Sequence, residues 1–283
     1  MTTLISVIIP VYRDWQRLAL CLAALERQSL PQSQFEVIVA NNEPDGDCPL
    51  DRRAANVRVV HEPTPGSYAA RNAAVAASAG RYLAFTDSDC LPEPDWLRNG
   101  LAALTANPAA RIAGSIAIFR EPAGGHHAHI YDLHVAFPQK EFAAAGTCVT
   151  ANLLVARAVF DSVGPFDQWF SGADLAWNRR AQAAGVPILY AEEVRVAHPA
   201  RRSVRDIFRK KRRAAGSIRD DISLGTVVVE AIKPPVRRLV MLRRKGVRWK
   251  HALPIFMILW VGRILRAQEV GFVRLGLKQP NRS

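Results

Sequence analysis

Two carboxylates one residue apart, Asp87 and Asp89, follow the apolar run Tyr82-Leu83-Ala84-Phe85. The run reads as a short buried strand. Pro92 and Pro94 stop any regular element after it. On an extended chain, alternation sends both carboxylates to the same side. Like charges held that close repel, and a cation offsets the repulsion. Carboxylate oxygens suit Mg²⁺ or Mn²⁺, and Mg²⁺ sites commonly combine one or two carboxylates with substrate phosphates. The chemistry expected is a divalent metal at a strand end, holding a diphosphate. A solvated acidic turn is the plainer alternative. A further acid, Asp174, lies near the start of a helix expected to open at Ser171 or Asp174 and run through Gln182 to Gly185. It is either a charge favourable to the helix dipole or a general base at the mouth of a crevice. Three histidines in Gly124–His129 invite a metal reading, but they are near neighbours rather than at i, i+4. A solvated loop, or one near an acceptor, is expected there.

The elements that must position these residues alternate between strand and helix. Leu4–Pro10 is a nearly continuous apolar run, as in a strand buried on both faces. Asp14–Arg27 places Leu18, Cys21, Leu22 and Leu25 at helical spacing. Phe35–Ala40 and Val57–Val60 read as strands. Ser67–Ala79 reads as a helix with Gly80 at its C-cap position. Asp95–Ala106 is a helix, Arg111–Phe119 and Ala151–Val155 are strands, and Arg157–Val163 is a short helix. Pro187–Tyr190 and Val194–Ala197 are strand-like. This order predicts an α/β layer with right-handed crossovers. Ligands in such sheets sit beyond the carboxyl ends of the strands. Pro10-Val11-Tyr12, Asn41-Asn42 and Asp87-Ser88-Asp89 all fall there.

The 283 residues allow one large domain, or a domain of roughly 200 residues with an appendage. Ile5–Val11 is too short for a signal segment and contains Pro10, so a cytosolic start is expected. The four cysteines lack metal-ligand spacing and read as reduced packing residues. Charge is unevenly spread. Residues 1–194 hold 15 Lys and Arg against 20 Asp and Glu, whereas residues 195–283 hold 23 against 5. A polyanionic partner for the basic part follows, a membrane surface or nucleic acid.

Taken together, the motifs resemble the family 2 glycosyltransferases of the GT-A fold, over about residues 4–220. The resemblance rests on Ser6–Tyr12, Gly66-Ser67 with Ala70–Ala73, and Gly80–Pro92 with Pro94–Leu97. It continues with Val163–Asp167, Gly172–Trp177 with Arg179-Arg180, and His198. It implies a Rossmann-like, mostly parallel central sheet flanked by helices. It also implies a nucleotide-diphosphate sugar donor, Mn²⁺ or Mg²⁺, and an inverting single displacement. Carried over by position, Pro10, Val11 and Tyr12 would frame the base, and Arg71 would lie against the nucleotide with Asn72 beside it. Asn41 sits where the family usually has an Asp reading the nucleoside. Asp87, with Ser88, would contact ribose or metal. Asp89 would ligate the metal, with His198 as a further metal or diphosphate ligand. Asp174 matches the base that deprotonates the acceptor hydroxyl. Trp177 would stack on an acceptor sugar or else pack on a helix face. The family often has a second acid where Ala176 stands.

In the tail, Arg209–Arg213 and Arg243–Lys245 alternate with apolar stretches, and Pro234-Pro235 marks a break. The apolar run Ala252–Gly262 falls short of the roughly 20 residues that span a bilayer. Basic residues interleaved with Leu, Ile, Phe and Trp fit helices lying on an anionic membrane surface. No helix-turn-helix or aromatic RNA-binding pattern accompanies the charge, so nucleic acid is not expected. The division expected is 1–200 catalytic and 201–283 a basic amphipathic helical extension. The protein would be peripheral on the inner face of the cell membrane, acting on a lipid-linked or surface-glycan acceptor. A catalytically silent module that binds nucleotide sugar is the other reading. A nucleotidyltransferase would want a Gly-rich, Lys-bearing loop after the first strand, and Val11-Tyr12-Arg13 is not one.

Overall fold

A computed structural model describes residues 3–46, 48–50, 54–169, 171–215 and 223–278. In chain order the elements are β1 (Ile5–Val11), α1 (Trp15–Glu26), β2 (Phe35–Asn41), β3 (Val57–His61), α2 (Ser67–Ala77), β4 (Tyr82–Thr86) and β5 (Leu91–Pro92). There follow α3 (Trp96–Ala106), β6 (Arg111–Phe119), α4 (His126–Tyr131), α5 (Gln139–Ala144), β7 (Asn152–Ala156), α6 (Arg157–Val163), α7 (Ala173–Ala183) and β8 (Ile188–Pro199). The chain ends with α8 (Val204–Ala215), α9 (Leu224–Ile232), α10 (Val236–Arg244) and α11 (Trp249–Arg274). It divides into two compact units. The first takes in Met1–Ala117, Pro138–Trp169 and Ala173–His198, and the second Ile118–Phe137, Phe170–Gly172 and Pro199–Ser283.

The first unit is built on a sheet of eight strands in the order β3-β2-β1-β4-β7-β6-β8-β5. Strands β3, β2, β1 and β4 are parallel, and β7 runs antiparallel between β4 and β6. Every residue of β1 is buried, as a strand covered on both faces requires. Alternation sorts the side chains into two cores. Val7, Ile9, Val37, Val39 and Ala84 join α1 and α3 on one face. Ile8, Ile38, Leu83, Phe85 and Leu153 join α2, α6 and α7 on the other.

The far half of the sheet depends on Asn152, fully buried on β7. Its amide donates to the carbonyls of Ser115 and Val194, 2.8 Å each, and its oxygen accepts from the Trp96 indole at 2.9 Å. Gly114 leaves the room, since a Cβ there would stand 2.3 Å from the Asn152 amide nitrogen.

Four expectations are corrected. Helix α2 ends at Ala77, and Gly80 is not its cap. A Cβ at Gly80 would meet the Ser6 backbone nitrogen at 2.6 Å, so glycine lets the chain pass close to β1. Pro92 does not end regular structure; β5 pairs antiparallel with β8 at the sheet's edge, where proline is tolerated. Asp87–Cys90 is a turn closed by Cys90 N–H to the Asp87 carbonyl at 3.1 Å, not extended chain. The histidine stretch is helix α4, capped by Gly125, whose carbonyl accepts from His129 N–H at 3.1 Å.

The second unit is helical. Its core is smaller, with Tyr131, Ile207, Leu242, Ile255 and Leu259 among its buried members. Helix α4 runs into a π-helical turn, Asp132–Ala136. Asp132 is 1% exposed there and is held by the guanidinium and backbone N–H of Arg201. The proline pair falls between α9 and α10. No helix among the described residues is long and apolar enough to cross a membrane.

Candidate functional site

The carboxyl ends of β1, β2 and β4 lie side by side, because Val11 pairs with Asn41 and Ile8 with Phe85. After β4, Asp87 forms a salt bridge with the Arg71 guanidinium, which is buried on α2. Arg71 also lies over the Tyr68 ring, 5.3 Å from its centroid. Burial pushes the Tyr68 phenol well above its usual pKa, and the Asp174 charge adds to the shift. Asp174, Tyr68, Arg71 and Asp87 thus form a chain of neighbours. Asp174 sits in the first turn of α7, where its carboxylate accepts the Leu175 N–H at 2.9 Å.

Asp89 faces His198 at the end of β8, with Oδ1 3.7 Å from Nε2. Burial raises the Asp89 carboxyl above its ordinary value, His198 opposes that shift, and Asp87 adds to it. A carboxylate so placed gains from a nearby cation. Ligand atoms of Asp89, Cys90 and His198 all lie within 4.8 Å of one another. Cys90 is a poor ligand. Its thiol is fully buried, its pKa is pushed well up by burial, and its sulfur points at the Ala151 carbonyl. Asp89 oxygen and His198 nitrogen remain, a donor pair that suits a divalent ion.

The model of glycosyl transferase family 2 matches residues 6–164. Glycosyltransferase AglE of Haloferax volcanii is 33% identical over 92% of this chain and 92% of its own length. The chain belongs to glycosyl transferase family 2. Membership makes it a glycosyltransferase, and the sheet is of the GT-A kind. The pre-mycofactocin glycosyltransferase of Mycobacterium tuberculosis is 27% identical over 75% of this chain and 46% of its own. Among solved structures, residues 1–349 of Staphylococcus aureus TarS in complex with UDP-GlcNAc superpose with a TM-score of 0.56. That match has 14% identity and covers 97% of this chain and 92% of that one.

Within this family 2 frame, some sequence expectations change. Trp177 is no acceptor platform. It is fully buried, stacks on Phe160 at 5.6 Å, and donates its indole N–H to the Gly164 carbonyl at 2.8 Å. Its face of α7 packs on the sheet. Asn72 does not reach beside Arg71 into the site; its amide exchanges bonds of 2.8 and 3.0 Å with the Phe166 backbone. Asn41 is 1% exposed, and its Oδ1 accepts Glu43 N–H at 3.0 Å, so it shapes the strand end. Val11 belongs to the core. Pro10 and Val11 therefore offer a ligand only strand-end backbone, whereas Tyr12 is 45% exposed.

Three residues escaped the sequence reading. Tyr68 couples Asp174 to Arg71, yet beside Gly66-Ser67 it reads as one more helix residue. Glu43 accepts from the Trp15 indole at 2.9 Å and the Arg13 backbone at 3.2 Å. Arg13 itself has φ 54°, the left-handed region that a bulky residue enters only when its surroundings hold it there. No local pattern announces either contact.

Proposed function

We propose that this family 2 enzyme transfers a sugar, with inversion, from a nucleotide-diphosphate donor to a hydroxyl of a lipid-linked or surface-glycan acceptor. The observation that carries this reading is the grouping of Asp87 and Asp89 after β4 with His198 of β8, with Asp174 reached through Tyr68 and Arg71. Tyr12, Arg71, Asp87 and Ser88 would contact the nucleotide, together with strand-end backbone at Pro10, Val11 and Asn41. The UDP-GlcNAc bound by TarS supports a nucleotide-sugar donor. The UDP and Mn²⁺ bound by GalNAc-T7, at 13% identity and a TM-score of 0.55, support a divalent ion. Mn²⁺ or Mg²⁺ held by Asp89 and His198 would offset the charge that develops on the departing diphosphate.

The chain's own residues do the rest. Arg71 fixes the Asp87 carboxylate in one orientation. Asp174 takes the acceptor hydroxyl proton as the new carbon–oxygen bond forms on one face of the sugar carbon. The bond to the diphosphate breaks on the other face. With Ala at 176, Asp174 carries that proton transfer alone in this part of α7.

The second unit supports a place on an anionic membrane surface, on the inner face of the cell membrane. Trp249, Leu253, Met257 and Ile264 form one exposed stripe along α11. Lys250 and Arg263 flank that stripe. Such a helix lies in the interface plane.

Nucleoside diphosphate release from UDP-, GDP- and dTDP-sugars, with Mn²⁺ or Mg²⁺ and with EDTA, tests the reading. Release that depends on metal and is lost in Asp89→Asn supports it. Binding of nucleoside diphosphate without release from any donor overturns it in favour of a silent binding module.

A further inference from the structure

The helical unit gathers cations that the transfer reaction leaves unused. Lys211 of α8 lies across α11 at Gly262, where a Cβ would stand 2.3 Å from the lysine Cδ. Glycine at 262 is therefore what lets the lysine stem pass. The Lys211 ammonium reaches over Tyr131, 5.8 Å from the ring centroid. Burial lowers its pKa to about 8, and Arg266, Arg201, Arg263 and Arg238 all push in the same direction. Arg201 already holds Asp132. One and four residues after Gly262, Arg263 and Arg266 line a cavity of about 280 Å³ together with Lys233. Glu230 is the acid among its described lining residues. Like charges brought this close repel, and the repulsion falls when an anion enters. Guanidinium groups match phosphate oxygens in pairs, and an ammonium supplies a compact charge beside them. Helix α9, which walls the cavity, exposes Val228, Val229 and Ile232.

We propose that Arg263, Arg266 and Lys233, which line the cavity, bind a terminal phosphate, a phosphomonoester or a diphosphate, and that Lys211 adds positive charge from across α11 at Gly262. A lipid head or a free soluble phosphate can supply that group. The lipid source rests on the membrane-surface reading above, and the phosphate chemistry does not.

The test uses the full chain with EDTA present, so that diphosphate is not drawn to the Asp89 site by metal. Inorganic diphosphate binding is measured by calorimetry. Flotation is measured on phosphatidylcholine vesicles with phosphatidic acid, a phosphomonoester, and on vesicles with charge-matched phosphatidylglycerol, a phosphodiester. The wild-type chain should bind diphosphate, or prefer phosphatidic acid to phosphatidylglycerol. A preference for phosphatidic acid without diphosphate binding marks the lipid source, and diphosphate binding without that preference marks the soluble one. Arg263→Gln/Arg266→Gln should weaken whichever binding is seen by at least about tenfold. Arg237→Gln/Arg244→Gln removes the same charge from exposed positions of α10 and should weaken it by less than about threefold. Lys211→Met, which removes a buried charge, should fold and weaken the same binding by less than the Arg263→Gln/Arg266→Gln pair. Equal losses in the two double variants overturn the proposal, as does a wild-type chain that binds neither diphosphate nor phosphatidic acid selectively. Nucleoside diphosphate release in the same variants should stay within about twofold of wild type. Absence of release in the wild type would count against sugar transfer while leaving the phosphate site standing.

Discussion

The two units treat charge differently, although the helical unit also holds opposite-charge pairs such as Arg201 with Asp132. In the sheet unit, charged side chains near the strand ends meet opposite partners: Arg71 with Asp87, Asp89 with His198, Arg180 with Asp167 at 2.6 Å. In the helical unit, Lys211 faces arginines from three directions in sequence, Arg201, Arg238 and the α11 pair. The sheet unit also buries its large apolar side chains in two cores, while α9, α10 and α11 leave Val229, Ile232, Val236 and Met257 exposed. A site that does chemistry needs its groups oriented before substrate arrives, and internal pairs provide that. A surface that docks on something anionic and apolar can leave charge and hydrocarbon uncompensated until the partner supplies both.

Asp174→Asn breaks this comparison most sharply. Turnover, read as nucleoside diphosphate released in the presence of acceptor, should fall about 10²- to 10⁴-fold, the range that a positioned base supplies. Donor affinity and vesicle binding should not move, because the substitution keeps the Leu175 N–H acceptor and leaves the helical unit untouched. Unchanged turnover would remove Asp174 from its role.

Asn152→Leu asks how far the sheet unit depends on internal polar pairs. The variant strands the Ser115 and Val194 carbonyls and the Trp96 indole in a buried place. It should cost about 3 kcal/mol or more in urea unfolding. A loss below about 1 kcal/mol would show that the far strands of the sheet are held by packing alone.

Trp249→Ser/Leu253→Ser/Met257→Ser strips the α11 stripe while leaving every basic residue in place. Flotation with anionic vesicles should weaken about 30-fold, while donor hydrolysis stays as in wild type. If binding to vesicles survives and only high salt removes it, the surface acts by charge without insertion.

Much of the sheet unit was legible because its signals are local. The continuous apolar run of β1 and the helical spacing of Leu18, Cys21, Leu22 and Leu25 both survive folding unchanged. The place of Asp87 and Asp89 beyond a strand end was legible because the apolar run Tyr82–Phe85 announces β4. What failed depends on distant residues. The partner that makes Leu91-Pro92 a strand lies a hundred residues away in β8. Gly80 is fixed by contact with Ser6, which no cap pattern encodes. Trp177 lies one helical turn from Asp174, and sequence spacing does not say which face of α7 turns inward. The Gly124-Gly125 pair reads as a loop, yet Gly125 serves as a helix N-cap. In the site itself, Tyr68, Glu43 and Arg13 acquire meaning only from partners 28 to 106 positions away, Trp15, Glu43 and Asp174. In the tail, composition carried the charge asymmetry but not which cations converge.

A further effect concerns Lys211, and it separates strain within the helical unit from the docking proposed for it. Its folded pKa, about 8, lies below the usual lysine value of 10.5. Between these values the unfolded chain binds a proton that the folded chain has released. Stability therefore rises with pH across that window, and below pH 8 the folded state bears the full cost of the buried charge. That cost is up to about 3 kcal/mol, fewer where water reaches the ammonium. Urea unfolding of the wild type followed from pH 7.5 to 10.5 should show the rise. Lys211→Met should flatten it and be more stable at neutral pH. Inorganic diphosphate at saturating concentration should flatten it too, because an anion beside the ammonium restores its proton. A wild-type profile that already matches Lys211→Met would mean that the ammonium reaches solvent and the surrounding arginines do not act on it.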